Sequence, residues 1–130
     1  MKGSKNWTAI QLDAEFPPPV GAYSPAIRAG NLVFLSGQVP KDPRTGAIVG
    51  ENVGEQTRQV LENAERALTA AGATLEDVVS ITAYLSKMED WGDFDAVYRE
   101  ILRPPYPART TVGADLHGFM VELSFIAVVR

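Results

Sequence analysis

The chain has no cysteine and a single histidine in 130 residues. The first absence removes disulfides, thiolate metal sites and cysteine nucleophiles together, and it leaves the compartment open, with the cytoplasm as the default expectation. The second excludes histidine-clustered metal sites and permits a histidine-based triad only through His117. No apolar run approaches the ~18 residues of a membrane span, so no membrane partner is expected. The N-terminal Met1-Lys2-Gly3-Ser4-Lys5-Asn6-Trp7 is basic but has no apolar core after it, and does not read as a secretory signal. Positive charge is in the minority. The net charge is −4, the wrong sign for the basic footprint of a broad nucleic-acid binder. Phosphate-binding glycine loops, internal repeats and domain linkers are also missing.

What remains is an ordinary folded composition, 45% apolar and 22% charged. It predicts one domain over residues 1–130, long enough for a real core. Thr8 to Leu12 reads as a short strand, and Phe16-Pro17-Pro18-Pro19-Val20-Gly21 as a stiff extended spacer. Tyr23 to Ala29 and Leu32 to Gln38 flank Gly30-Asn31 as a β-hairpin. Asn52 is a good N-cap, with Glu55 placed to reach back to it. Val60, Leu61, Ala64, Leu68 and Ala71 follow at helical spacing, and Gly72 suits the C′ position. Val78 to Leu85 reads as a strand with Val79, Ile81, Ala83 and Leu85 on one face. A second helix begins near Asp90, carries Trp91, Phe94, Val97, Tyr98 and Ile101, and stops before Pro104.

Arg103-Pro104-Pro105-Tyr106-Pro107 ends that helix, because proline lacks the N–H and clashes with the preceding turn. Ala108 to Val112 then runs in a strand-like pattern, with Ala108, Thr110 and Val112 on one face and Arg109 on the other. An arginine in an otherwise small, neutral strand is either a structural ion pair, an exposed edge charge, or a two-pronged fork for a carboxylate.

The last strand, Phe119 to Val129, has two apolar faces. Val121, Leu123, Phe125, Ala127 and Val129 suit packing under helices. Met120, Glu122, Ser124, Ile126 and Val128 make a second face that is also largely apolar, where a solvated sheet would alternate to polar. The element order β, ββ, α, β, α, ββ predicts a two-layer α+β domain, one sheet with two helices on one face. Two helices cover one face only, so the second face is expected to pack against another subunit. Glu122 then becomes a buried carboxylate that must be paired, hydrogen-bonded or functional.

Arg109, Glu122, Tyr23 and Ser36 together offer an anion fork, an acid/base, a phenol and a hydroxyl, with no triad and no metal cluster. At these residues the sequence resembles the RidA/YjgF family of enamine/imine deaminases, also labelled translation inhibitor or endoribonuclease L-PSP. The resemblance is carried in order by Gly21-Ala22-Tyr23-Ser24-Pro25-Ala26, Leu35-Ser36-Gly37-Gln38-Val39-Pro40, Asp42-Pro43-Arg44-Thr45-Gly46, Glu55-Gln56-Thr57, Asn63, Ala71-Gly72, Asp77-Val78-Val79, Tyr98, Pro107-Ala108-Arg109 and Val121-Glu122-Leu123. It implies a chorismate-mutase-like subunit with one mixed sheet, a homotrimer with inter-subunit clefts, and no cofactor or metal. It further implies that Arg109 binds the substrate carboxylate, that Glu122 works with the catalytic water, and that Tyr23 and Ser36 line the cleft. The implied reaction hydrolyses enamines and imines such as 2-aminoacrylate/2-iminopropanoate to 2-keto acids and ammonia.

Three positions depart from the family pattern. Ser124 stands where many members have a second acidic residue, Asp95 where many have asparagine, and Thr111 where cysteine is common. His117 reads as a surface residue of the loop before the last strand. Two other functions share the inventory: a non-catalytic small-carboxylate-binding or chaperone-like trimer, and an endoribonuclease.

Overall fold

The chain, described by a computed structural model over residues 4–13 and 18–130, folds in the expected order: β1 (Thr8–Ile10), β2 (Ala26–Ala29), β3 (Leu32–Gln38), α1 (Val53–Ala70), β4 (Val78–Leu85), α2 (Trp91–Ile101), β5 (Ala108–Gly113) and β6 (Val121–Val128). Phe16 and Pro17 of the expected proline spacer lie outside the described residues.

Local chemistry accounts for the boundaries. Gly30, at φ +61°, turns the β2–β3 hairpin, where Ala29 pairs with Leu32. Asn52 caps α1 by accepting a hydrogen bond from the Glu55 N–H at 2.9 Å. The Glu55 carboxylate reaches back to the Glu51 N–H at 2.8 Å, one residue earlier than a strict capping box would place it. At the other end, Ala73 N–H bonds to the Leu68 carbonyl and Gly72 N–H to that of Thr69. This Schellman turn needs a left-handed C′ residue, and Gly72 supplies it at φ +83°.

All six strands join one mixed sheet in the order β1-β2-β3-β6-β4-β5. Every neighbouring pair is antiparallel except β4–β5, which is parallel and connected through α2. The last strand therefore sits in the middle of the sheet, between β3 and β4, and β5 is an edge.

Both helices cover one face. Val121, Leu123, Phe125 and Ala127 of β6, with Val33, Leu35, Ile81, Ala83 and Leu85, are buried against Val60, Leu61, Ala64, Leu68 and Phe94. On β4 the sequence pattern placed Val79 on this face, and the structure corrects it. The ladder to β6 slips between Val78 and Ser80, so a bulge turns Val78 inward and leaves Val79 46% exposed. The opposite face carries Phe34, Tyr84, Glu122, Ser124 and Ile126, all only part-buried, beside exposed Val112 and Val128. Among the described residues no helix is long and apolar enough to cross a membrane.

Candidate functional site

The four site residues expected from sequence fall into two groups, one around β3 and the other, Arg109 alone, on the helix-covered face of the sheet. The first group gathers around β3. Its ladder to β6 slips between Leu35 and Gln38, so an extra residue bulges out at Ser36-Gly37. The Ser36 hydroxyl donates to the Ser24 carbonyl at 2.6 Å, and the Ser36 N–H donates to the Pro25 carbonyl at 3.0 Å. These bonds tie the loop carrying Tyr23 to the strand. Tyr23, Ser36 and Gly37 line one wall of a cleft of about 700 Å³. Asn63 of α1, which also lines the cleft, donates to the Val39 and Lys41 carbonyls and ties that loop to the helix.

Glu122 projects from β6 onto the open face and lies against Gly37. A Cβ at Gly37 would sit 2.9 Å from the Glu122 Cδ and 3.2 Å from its Cγ, and would overlap Oε2. Here glycine is required for space, because φ at this position is not positive. The Glu122 carboxylate has no hydrogen-bond or ion-pair partner among the described residues. Burial pushes its pKa above the ordinary 4.5, and the His117 charge opposes that rise. His117 itself is exposed, as expected of a loop residue. Arg109 takes no part in this balance within one chain.

Arg109 points the other way, to the helix-covered face, because it is in register with the buried Ile81. At the edge of that face it meets α2. Its Nη1 donates to Asp95 Oδ1 at 2.9 Å, and its Cζ lies 4.5, 5.1 and 5.3 Å from the ring centroids of Tyr98, Phe94 and Trp91. The guanidinium is thus stacked and partly desolvated, with its side chain 16% exposed. Asp95 Oδ2 also accepts from Arg99 Nε at 2.9 Å, one helical turn on. Burial pushes the Asp95 carboxyl up, but the hydrogen bonds from Arg99 and Arg109 outweigh it and hold the pKa below 3.8. Tyr98 is buried with its hydroxyl unpartnered among the described residues. Burial raises its pKa, against the pull of the Arg109 charge. A second, smaller cleft of about 310 Å³ opens here, lined by Trp91, Asp95, Tyr98, Arg99, Tyr106, Pro107 and Arg109.

Sequence reasoning missed the Arg109 box and the Gly37 seat. The spacing of Trp91, Phe94, Asp95 and Tyr98 on one helical side was the available signal for the first. A glycine inside a strand pattern was the signal for the second. Among the described residues no group of three or more potential metal ligands exists.

The chain matches the family model described as Endoribonuclease L-PSP over residues 14–129. It is 49% identical over 96 residues to a RutC family protein of Pyrococcus horikoshii, covering 74% of this chain and 76% of that one. It is 35% identical over 116 residues to a 2-iminobutanoate/2-iminopropanoate deaminase of Dermatophagoides farinae, covering 88% and 91% of the two chains. Its fold superposes on the crystal structure of RidA from the Antarctic bacterium Psychrobacter sp. with a TM-score of 0.86 at 36% identity, over 94% of this chain and 99% of the other.

Proposed function

Because the chain belongs to the RidA/YjgF family, described as Endoribonuclease L-PSP, we propose that it hydrolyses small enamine/imine acids, of the 2-aminoacrylate/2-iminopropanoate kind, to 2-keto acids and ammonia. The observation that carries this reading is the Glu122 carboxylate, part-buried, unpartnered among the described residues and packed against Gly37, which itself lines the larger cleft. A carboxylate with its basicity raised by burial is suited to take a proton from water and return it.

The chemistry needs little else. As water attacks the imine carbon the C–O bond forms, the C=N π pair moves to nitrogen, and Glu122 takes one water proton and passes it to that nitrogen, giving the carbinolamine. Glu122 then relays the carbinolamine hydroxyl proton to the nitrogen, the C–N bond breaks, and ammonia leaves as the carbonyl forms, with Glu122 back as the carboxylate. One imine and one water give one keto acid and one ammonia. Arg109 binds the substrate carboxylate, and Tyr23 and Ser36 line the cleft and orient the bound acid.

Arg109 and Glu122 lie on opposite faces of one chain, so this reading needs a second subunit. The homotrimer supplies it: the Arg109 box of one subunit faces the Tyr23–Ser36 cleft of its neighbour, beside the Glu122 that packs on Gly37. The same packing covers the open face that carries Phe34, Ile126 and Val128. Light scattering at micromolar concentration should give three times the 14.1 kDa subunit mass; a monomer would remove the composite site. The direct test couples enzymatic generation of 2-aminoacrylate to detection of the keto acid. Release above the spontaneous rate supports a deaminase. Binding of pyruvate with no acceleration points instead to a carboxylate-binding trimer. Cleavage of RNA with no imine hydrolysis points to the endoribonuclease, a reading the net charge of −4 disfavours.

A further inference from the structure

Arg109 does not stand alone. Asp95 lies between two guanidiniums, accepting from Arg109 Nη1 on one oxygen and from Arg99 Nε on the other, each at 2.9 Å. The cluster Arg99–Asp95–Arg109 therefore carries a net charge of +1. Its two cations differ in access. Arg109 is enclosed by the rings of Trp91, Phe94 and Tyr98, whereas the Arg99 side chain is 65% exposed at the mouth of the same small cleft.

We infer that Asp95 sets the charge selectivity of this cleft, restricting it to ligands with one carboxylate and rejecting those with two. The inference rests on the carboxylate-binding role proposed for Arg109 and adds the class of acid it accepts. With Nη1 engaged by Asp95, the Arg109 fork keeps donors for one planar carboxylate. A second carboxylate on the same ligand would have to reach Arg99. Asp95 already holds Arg99, and its own charge lies between the two cations. Like-charge contact of this kind is a repulsive element of specificity, distinct from any gain in binding the preferred ligand. An asparagine at position 95 would keep the acceptor oxygen and the shape. It would raise the cluster to +2 and free Arg99 for a second anion. Asp95 is thus a positioning and selectivity residue that acts through Arg109 and Arg99.

The test compares the dissociation constants of pyruvate and 2-oxoglutarate by calorimetry for the assembled wild-type protein, Asp95→Asn and Asp95→Asn/Arg99→Gln, with thermal unfolding to confirm the fold. Wild type should prefer pyruvate. Asp95→Asn should shift the ratio of the two constants toward 2-oxoglutarate by roughly tenfold, the size one partly screened charge carries at close range. The double variant should return the ratio to the wild-type value. A ratio within twofold of wild type in Asp95→Asn overturns the inference, and so does a shifted ratio that survives loss of Arg99. A merely structural Asp95 would weaken both ligands together and leave the ratio unmoved. Pyruvate binding that is equal in wild type and Arg109→Lys marks a different failure. It removes the carboxylate fork itself, and the selectivity built on it, whatever the Asp95 variants do.

Discussion

Gly37→Ala separates the position of the Glu122 carboxylate from everything else in the fold. The added methyl would overlap Glu122 Oε2 and stand 2.9 Å from Cδ and 3.2 Å from Cγ. The displaced group is the end of a flexible side chain, so it swings aside and the backbone stays. Holding Glu122 off its preferred rotamer costs about 0.5–1.5 kcal/mol. Replacing glycine where φ is not positive gains about 0.4–1 kcal/mol, because the unfolded chain loses freedom. The two nearly cancel, so Tm should move by less than about 4 °C for a domain of this size. Catalysis should respond far more strongly: moving a reacting group by about 1 Å costs on the order of 10²-fold in rate. Saturating turnover in the coupled keto-acid assay, beside a thermal melt of the same sample, reads both. On a Glu122→Gln background the methyl should cost little further, because the group it displaces no longer works. Turnover within threefold of wild type would show that the seat on Gly37 is not the working position of Glu122. A fall in Tm of more than about 10 °C would show that the strand, not the side chain, had given way.

Arg109→Lys should fold and lose most imine-hydrolysis activity, because lysine keeps the charge without the planar fork; near-normal turnover would leave Arg109 as a structural partner of Asp95. Glu122→Gln should lose turnover more than pyruvate affinity, as expected of a group used in the transition state. It should also stabilise the subunit at neutral pH. The Glu122 pKa is raised on folding, so the native state favours the protonated form. The stability this contributes is full below the ordinary 4.5 and is lost as pH rises through the folded value. The Tm advantage of Glu122→Gln should therefore appear above that range and vanish below it, and an advantage independent of pH would contradict burial as its cause. Asn52→Ala removes the side-chain acceptor at the start of α1 and should cost about 1 kcal/mol in urea unfolding with activity per folded molecule unchanged.

Element identity was legible in the sequence because it rests on local physics. Asn52 and Gly72 bracket α1, prolines stop α2, and alternation marks β6. The doubly apolar character of β6 could also be read, since both faces of a strand are written along it at period two. Three things were decided only when the elements packed. The bulge at Val78-Val79 arises from pairing with β6 and carries no local mark, so the predicted face was wrong by one residue there. The insertion of β6 between β3 and β4 depends on non-local pairing, which strand propensity does not encode. The division of the site followed from these. Arg109 and Glu122 are thirteen positions apart on successive strands, and the sequence alone invited placing them side by side. Register set them on opposite faces, because each side chain follows its neighbours across the sheet, Arg109 with Ile81 and Glu122 with Tyr84. Asp95 became the partner of Arg109 for the same reason: the parallel β4–α2–β5 crossover lays the helix over the edge strand, a juxtaposition that exists only in three dimensions.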